Sequence, residues 1–229
     1  MGARALAEGL GTGLLVAVVV GSGIAAERLS PGDIGLQLLE NSTATVLGLA
    51  ALILTFGPVS GAHLNPAVTL AEVVTGKIER RAVGPYLAAQ IAGGCLGAMV
   101  ANLMYELPVV DLSTHDRLTA ATFLSEVVAT FGLLTVIFGV VRSGRLAAVP
   151  IAVAGYIGAA YWFTSSTSFA NPAVTIGRTL SDTFAGIRPA SAPGFIAAQL
   201  LGAGLAVGVA RLLFPEPEPS LQEALDARP

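Results

Sequence analysis

The stretch that decides the fold is Ser168-Phe169-Ala170-Asn171-Pro172-Ala173-Val174-Thr175-Ile176-Gly177-Arg178. Its centre, Asn-Pro-Ala-Val-Thr, occurs a second time as Asn65-Pro66-Ala67-Val68-Thr69. Five identical residues in two apolar settings point to a duplicated half. Asn-Pro is a strong helix start: the Asn side chain caps, and Pro at the first helical position lacks an N–H that would have no intrahelical partner anyway. The apolar run after the first copy, Pro66–Val74, makes about 14 Å of helix at 1.5 Å per residue, roughly half a bilayer's hydrocarbon core. Two such half-length helices, one per repeat, cannot span. They can meet end to end at the membrane midplane when other helices shield them.

The surroundings fit that picture. Of 229 residues, 54% are hydrophobic and 12% charged, and the mean hydropathy is +0.75. A soluble domain carries about twice that charged share. Net charge is −3 with no basic block, which argues against a nucleic-acid partner. The single cysteine, Cys95, leaves no intrachain disulfide and reads as a small packing residue. Six apolar runs are long enough to span: about 5–26, 43–59, 82–104, 119–141, 147–163 and 194–214. The first is too long for a signal peptide's apolar core. The two Asn-Pro helices fall between runs two and three and between runs five and six. Each half therefore reads span, span, half-helix, span, and three spans per half require the second half to be inverted. The fold class expected is an all-α membrane protein with six transmembrane helices and two re-entrant half-helices. Residues 1–214 form one domain, with repeats at about 5–104 and 119–214, and 215–229 form a Pro- and Glu-rich cytoplasmic tail.

The repeat has further marks. Glu8 and Glu126 come early in each half, and Gln90 and Gln199 come late, both in an Ala-Ala-Gln context. Glycines at four-residue spacing, Gly9 and Gly13, Gly93 and Gly97, Gly204 and Gly208, let helices approach closely. With both termini cytoplasmic, that side holds the majority of basic residues, including Lys77, Arg80, Arg81, Arg142 and Arg145, while Arg28, Arg117, Arg178 and Arg188 lie outside.

Chemistry concentrates at the midplane. As N-caps, Asn65 and Asn171 use their amide oxygens on the helix starts, leaving two N–H donors each for a cavity. Both helix N-termini point there with about half a positive charge each. A neutral hydroxylated solute can accept bonds from both amides, and a cation meets the wrong sign. Glu8 and Glu126 are carboxylates within spans, which face the interior and find partners; a proton relay and a structural brace are both open on this basis. The sequence carries no nucleophile–base constellation, metal-ligand cluster or phosphate loop. It reads as a non-enzyme without metal or cofactor.

With Ser60-Gly61-Ala62-His63-Leu64-Asn65-Pro66-Ala67, the second Asn171-Pro172-Ala173 and the paired Glu and Gln marks, the chain resembles the major intrinsic proteins, the aquaporins and aquaglyceroporins. The likeness runs from Ala7 to about Leu213. It implies a six-helix bundle with two half-helices, a pore in each subunit, and homotetramers. Pro66, Ala67, Pro172 and Ala173 would complete the midplane with the two Asn residues. Glu8 and Glu126 would brace the re-entrant loops, and Gln90 and Gln199 would pack them. His63 would sit in the cytoplasmic vestibule. The family's selectivity filter lies outward of the midplane at four positions, which ungapped counting puts at Thr45, Ala159, Ser168 and Val174. The family usually has Arg where this chain has Val174, and water-selective members add His and an aromatic. A wider, uncharged lining is therefore expected. Arg178, four residues on, would stand nearer the outer mouth, either as a vestibule charge, or as a snorkelling residue or a partner for Asp182. The stretch from Tyr161 to Val174 resembles bacterial channels associated with arsenic resistance. The function implied is a passive inner-membrane channel for polyol-like solutes, water, and neutral arsenite or methylated arsenicals. The alternatives are a water-selective pore, an ion-coupled secondary transporter and a non-conducting junctional protein.

Overall fold

A computed structural model describes residues 1–214, all helix and connecting loop within that range. The tail assigned to 215–229 lies outside the described residues. Eight α-helices follow in order: α1 (Gly2–Leu29), α2 (Ile34–Ser60), α3 (Pro66–Val74), α4 (Val83–Met104), α5 (Ala120–Arg142), α6 (Val149–Phe163), α7 (Pro172–Arg178) and α8 (Ala192–Leu213). Single 3₁₀ turns, Arg80–Ala82 and Leu146–Ala148, lead into α4 and α6. Six helices, each counted with its leading turn, are long and apolar enough to cross a bilayer. The two short ones, α3 and α7, start at the Asn-Pro marks.

One boundary differs from expectation. Helix α2 begins at Ile34, well before the apolar run at 43, because its first turns are polar but paired. Asp33 caps by accepting from the Leu36 N–H at 2.9 Å. Gln37 donates to the Ser30 carbonyl at 2.8 Å and Asn41 to the Val19 carbonyl at 2.8 Å. Hydropathy counts those side chains against a buried helix, whereas satisfied hydrogen bonds permit it.

The packing follows the duplication. Helix α1 lies along α4, and α5 along α8, while α2 and α6 contact each other across the halves. A Cβ at Gly93 would stand 2.1 Å from the Gly9 carbonyl oxygen, and one at Gly97 would stand 2.0 Å from that of Gly13. Glycine is required on α4 because the α1 backbone fills that space. The Gly204–Gly208 pair behaves differently: a Cβ at either position meets nothing within 4 Å. On α8 the close approach falls at Gly202, against the Val127 carbonyl.

Charged loops cap the two ends. At one end, loops 105–119 and 179–191 pair through Asp111 N–H to Leu180 O and Ser113 N–H to Thr179 O, both 3.0 Å. Asn102, buried, ties them to α4 by donating to Leu180 O at 2.9 Å. At the other end, Glu72, Lys77, Arg142 and Arg211 gather around a small recess.

Candidate functional site

Helices α3 and α7 enter from opposite ends and meet at their N-termini. Asn65 caps α3 by accepting from the Ala67 N–H at 2.9 Å. Asn171 caps α7 by accepting from Ala173 at 3.0 Å and Val174 at 3.3 Å. Each Asn also reaches across the repeat boundary: Asn65 Nδ2 donates to the Ala170 carbonyl at 2.8 Å, and Asn171 Nδ2 to the Leu64 carbonyl at 2.7 Å. This corrects the expectation of two free donors per Asn. One donor of each closes the opposite loop, leaving one per side chain for the cavity that both line. Pro66, Pro172, Ala67 and Ala173 are buried in the first turns behind the caps.

The loops before the half-helices are held by the glutamates. Glu8, fully buried, accepts from Ser60 Oγ (2.6 Å), His63 N–H (3.0 Å), Leu64 N–H (2.7 Å) and Gln90 Nε2 (2.8 Å). Glu126 accepts the mirror set: Ser166 Oγ (2.6 Å), Phe169 N–H (2.9 Å), Ala170 N–H (2.9 Å) and Gln199 Nε2 (2.6 Å). In a trans peptide the C=O points opposite to its N–H. With these N–H groups drawn to the glutamates, the carbonyls of Ala62, His63, Ser168 and Phe169 turn the other way, towards the cavity their residues line. The backbone accommodates this with left-handed φ at Ala62, Leu64, Ser168 and Ala170. Such conformations cost free energy in non-glycine residues and persist where surroundings over-determine them, as the glutamate bonds do here.

Sequence reading missed two members of each brace. Ser60 and Ser166 link glutamate to loop, also accepting from the N–H of Ala62 and of Ser168. Thr69 and Thr175 accept from Gln90 and Gln199 at 2.9 Å and donate to the carbonyls of Asn65 and Asn171. Both pairs were visible as repeat marks, Ser five residues before each Asn and Thr four after.

A continuous cavity of about 250 Å³ runs past both Asn residues. Leu15, Val19, Leu49, Ile53 and Leu133 supply apolar lining to it. His63 lines it, its Nδ1 3.1 Å from Thr69 Oγ1. Of the four expected filter positions, Thr45, Ser168 and Val174 line the cavity. Ala159 does not: it lies exposed on the outside of α6, whose Ile157 and Tyr161 face inward. Ungapped counting slipped by two residues, and two residues rotate a helix position by about 200°. Tyr161 instead brings an aromatic ring, its hydroxyl 3.2 Å from that of Thr45.

Charge enters the lining of the cavity as a whole at Arg178 and Glu72. Arg178, only 2% exposed, lines the same cavity, its Cζ 3.4 Å from the centroid of the Phe169 ring. Asp182 is not its partner. That carboxylate accepts from Thr114 N–H at 2.8 Å, which holds its pKa below the usual carboxylate range, and it lies 3.6 Å from His115.

The Major intrinsic protein family matches residues 2–165. The chain belongs to that family. Among major intrinsic proteins it is 49% identical to the Aquaglyceroporin AqpS of Rhizobium meliloti, over 96% of this chain and 94% of the relative. It is 32% identical to the Glycerol uptake facilitator protein of Pseudomonas aeruginosa, over 99% and 94%. A solved structure, the aquaglyceroporin from Plasmodium falciparum, superposes with TM-score 0.67 at 21% identity, covering 93% of this chain and 96% of that one. That last likeness concerns the fold.

Proposed function

We propose that the protein is a passive membrane channel for glycerol and other small uncharged solutes, including water. The observation that carries this reading is the cavity itself, with a donor from Asn65 and one from Asn171 at one depth and apolar side chains in its lining. A polyol entering loses water on one edge and regains bonds from carbonyls and amides, while its carbon edge slides along those side chains. Cations gain no such exchange, since two helix N-termini oppose them at the midplane. No step requires a moving half or a coupled ion, and the cross-repeat Asn bonds favour a fixed pore over a transporter. The names of the relatives, aquaglyceroporin and glycerol uptake facilitator, support the solute class.

The finer reading is a homotetramer with one pore per subunit, in the cell's inner membrane, both termini cytoplasmic. The basic residues at 77–81 and 142–145 support that orientation. Neutral As(OH)₃ presents hydroxyls as glycerol does and belongs to the same candidate solute class. A water-selective pore is the second reading, favoured by the Tyr161 ring and the Arg178 guanidinium in the lining. Stopped-flow light scattering on proteoliposomes, with water, glycerol, urea and arsenite in turn, decides between them. Glycerol flux well above that of empty vesicles supports the polyol channel, and water flux alone supports the second reading.

A further inference from the structure

Two arginines, one from helix α7 and one from loop 105–119, converge on one phenylalanine ring beside the cavity. Arg178 ends α7, and its guanidinium lies over Phe169. Side chains on a helix lean towards its N-terminus, so Arg178 reaches back over the turn that holds Val174. Its Nε donates to the Ala185 carbonyl. Its terminal nitrogens have no protein partner among the described residues, and the residue lines the cavity. Arg117, from loop 105–119, fixes the same segment: its Nε donates to Gly186 O at 2.6 Å and its Nη2 to Phe184 O at 2.7 Å, with Cζ 5.7 Å from the Phe169 centroid. Three successive carbonyls, 184 to 186, are thus taken by two guanidiniums. Neither guanidinium forms an ion pair with a carboxylate among the described residues. Ser168 Oγ is buried and has no protein partner among them, and Ser168 lines the cavity too.

We infer that Arg178 is this pore's filter cation, supplied from one turn beyond the position where Val174 stands, and that Arg117 is the positioning residue that seats it. The inference rests on the channel reading above. Together Arg178 and Ser168 present donors and an acceptor to a passing hydroxyl pair, and the unneutralised charge repels cations. A valine at 174 then widens the constriction without removing its charge. The solutes selected are neutral and carry hydroxyls on one edge.

The test has two arms in proteoliposomes. Arg178→Gln keeps donors and drops the charge, while Arg178→Lys keeps the charge and drops the planar fork. Sodium leak should rise at least about tenfold in the Gln variant and stay near wild type in the Lys variant. A merely structural role would perturb both alike. The second arm leaves Arg178 intact: Ser168→Cys on a Cys95→Ser background is reacted from outside with an anionic sulfonatoethyl and a cationic trimethylammonioethyl methanethiosulfonate. Each rate is divided by that reagent's rate with free cysteine. A filter cation makes the anionic reagent the faster by about tenfold or more, and Arg117→Gln reduces that preference. Equal normalised rates, or sodium exclusion intact in a folded Arg178→Gln channel that still passes glycerol, overturn the inference alone. Absence of glycerol flux in wild type overturns the channel reading and the inference with it.

Discussion

Replacing Glu126 by Gln is the sharpest test of the brace. All four partners of the carboxylate are donors, two backbone N–H groups, one hydroxyl and one amide. A Gln side chain offers one acceptor oxygen and one NH₂, so two donors lose their acceptor. If the NH₂ takes the Oε2 place, Gln199 can rotate its unpartnered Oε1 towards it, but the Ala170 N–H is left facing an N–H. An orphaned buried donor costs about 1–3 kcal/mol, and each remaining bond that loses its charge-assisted character weakens by about 1 kcal/mol. With two such bonds left on the amide oxygen the sum is about 3–5 kcal/mol, against a total stability of roughly 5–15. At about 2–4 °C per kcal/mol the thermal midpoint should fall by about 6–20 °C. The assay is fluorescence-detected size exclusion after heating in detergent, paired with glycerol flux at 20 °C or below. Flux should fall as well, since the carbonyls of Ser168 and Phe169 are aimed by the bonds that are lost. A midpoint shift under about 1 °C with wild-type flux would refute the brace, because no buried carboxylate holding four donors can be neutralised so cheaply.

Three further outcomes are expected. Val174→Arg adds a long cation one turn from Arg178, where like charges repel, so glycerol flux should fall by a larger factor than water flux in correctly assembled protein; an unchanged ratio by stopped-flow would remove Val174 from the constriction. Asn65→Ala and Asn171→Ala each lose a cap worth about 1 kcal/mol and a cross-repeat bond, so the double variant should insert but conduct poorly; undiminished flux would rule out the midplane assignment. The Asp182 carboxylate, its pKa depressed by the Thr114 N–H, should hold loops 105–119 and 179–191 together above the ordinary carboxylate pKa and release them as pH falls through its lowered value. The protection of the Thr114 amide from hydrogen exchange, relative to its intrinsic rate at each pH, should therefore fall only at strongly acidic pH, and a fall that begins near neutrality would contradict this.

Much of the architecture was legible because the duplicated Asn-Pro-Ala-Val-Thr specifies both a helix start and a half-length, and these leave few topologies. The glutamate and glutamine marks were legible for a related reason: polar residues inside spans must find partners, and a repeat says where. Ala159 failed because a count along the chain is not a count around a helix. The early start of α2 failed because hydropathy cannot see that Gln37 and Asn41 have carbonyls waiting at Ser30 and Val19. Arg178 stayed open in the sequence between a vestibule charge and a snorkelling residue or Asp182 partner, because spacing along the chain does not show that its guanidinium lies on Phe169.

The exchange of bonds between Asn65 and Ala170, and between Asn171 and Leu64, has a consequence for biogenesis. Each loop is braced by its own half but latched by the other. In α1 to α4 alone the Leu64 carbonyl lacks its Asn171 donor and the Asn65 amide lacks its Ala170 acceptor. The cavity is lined from both halves, so it is complete only when the second half has joined the first.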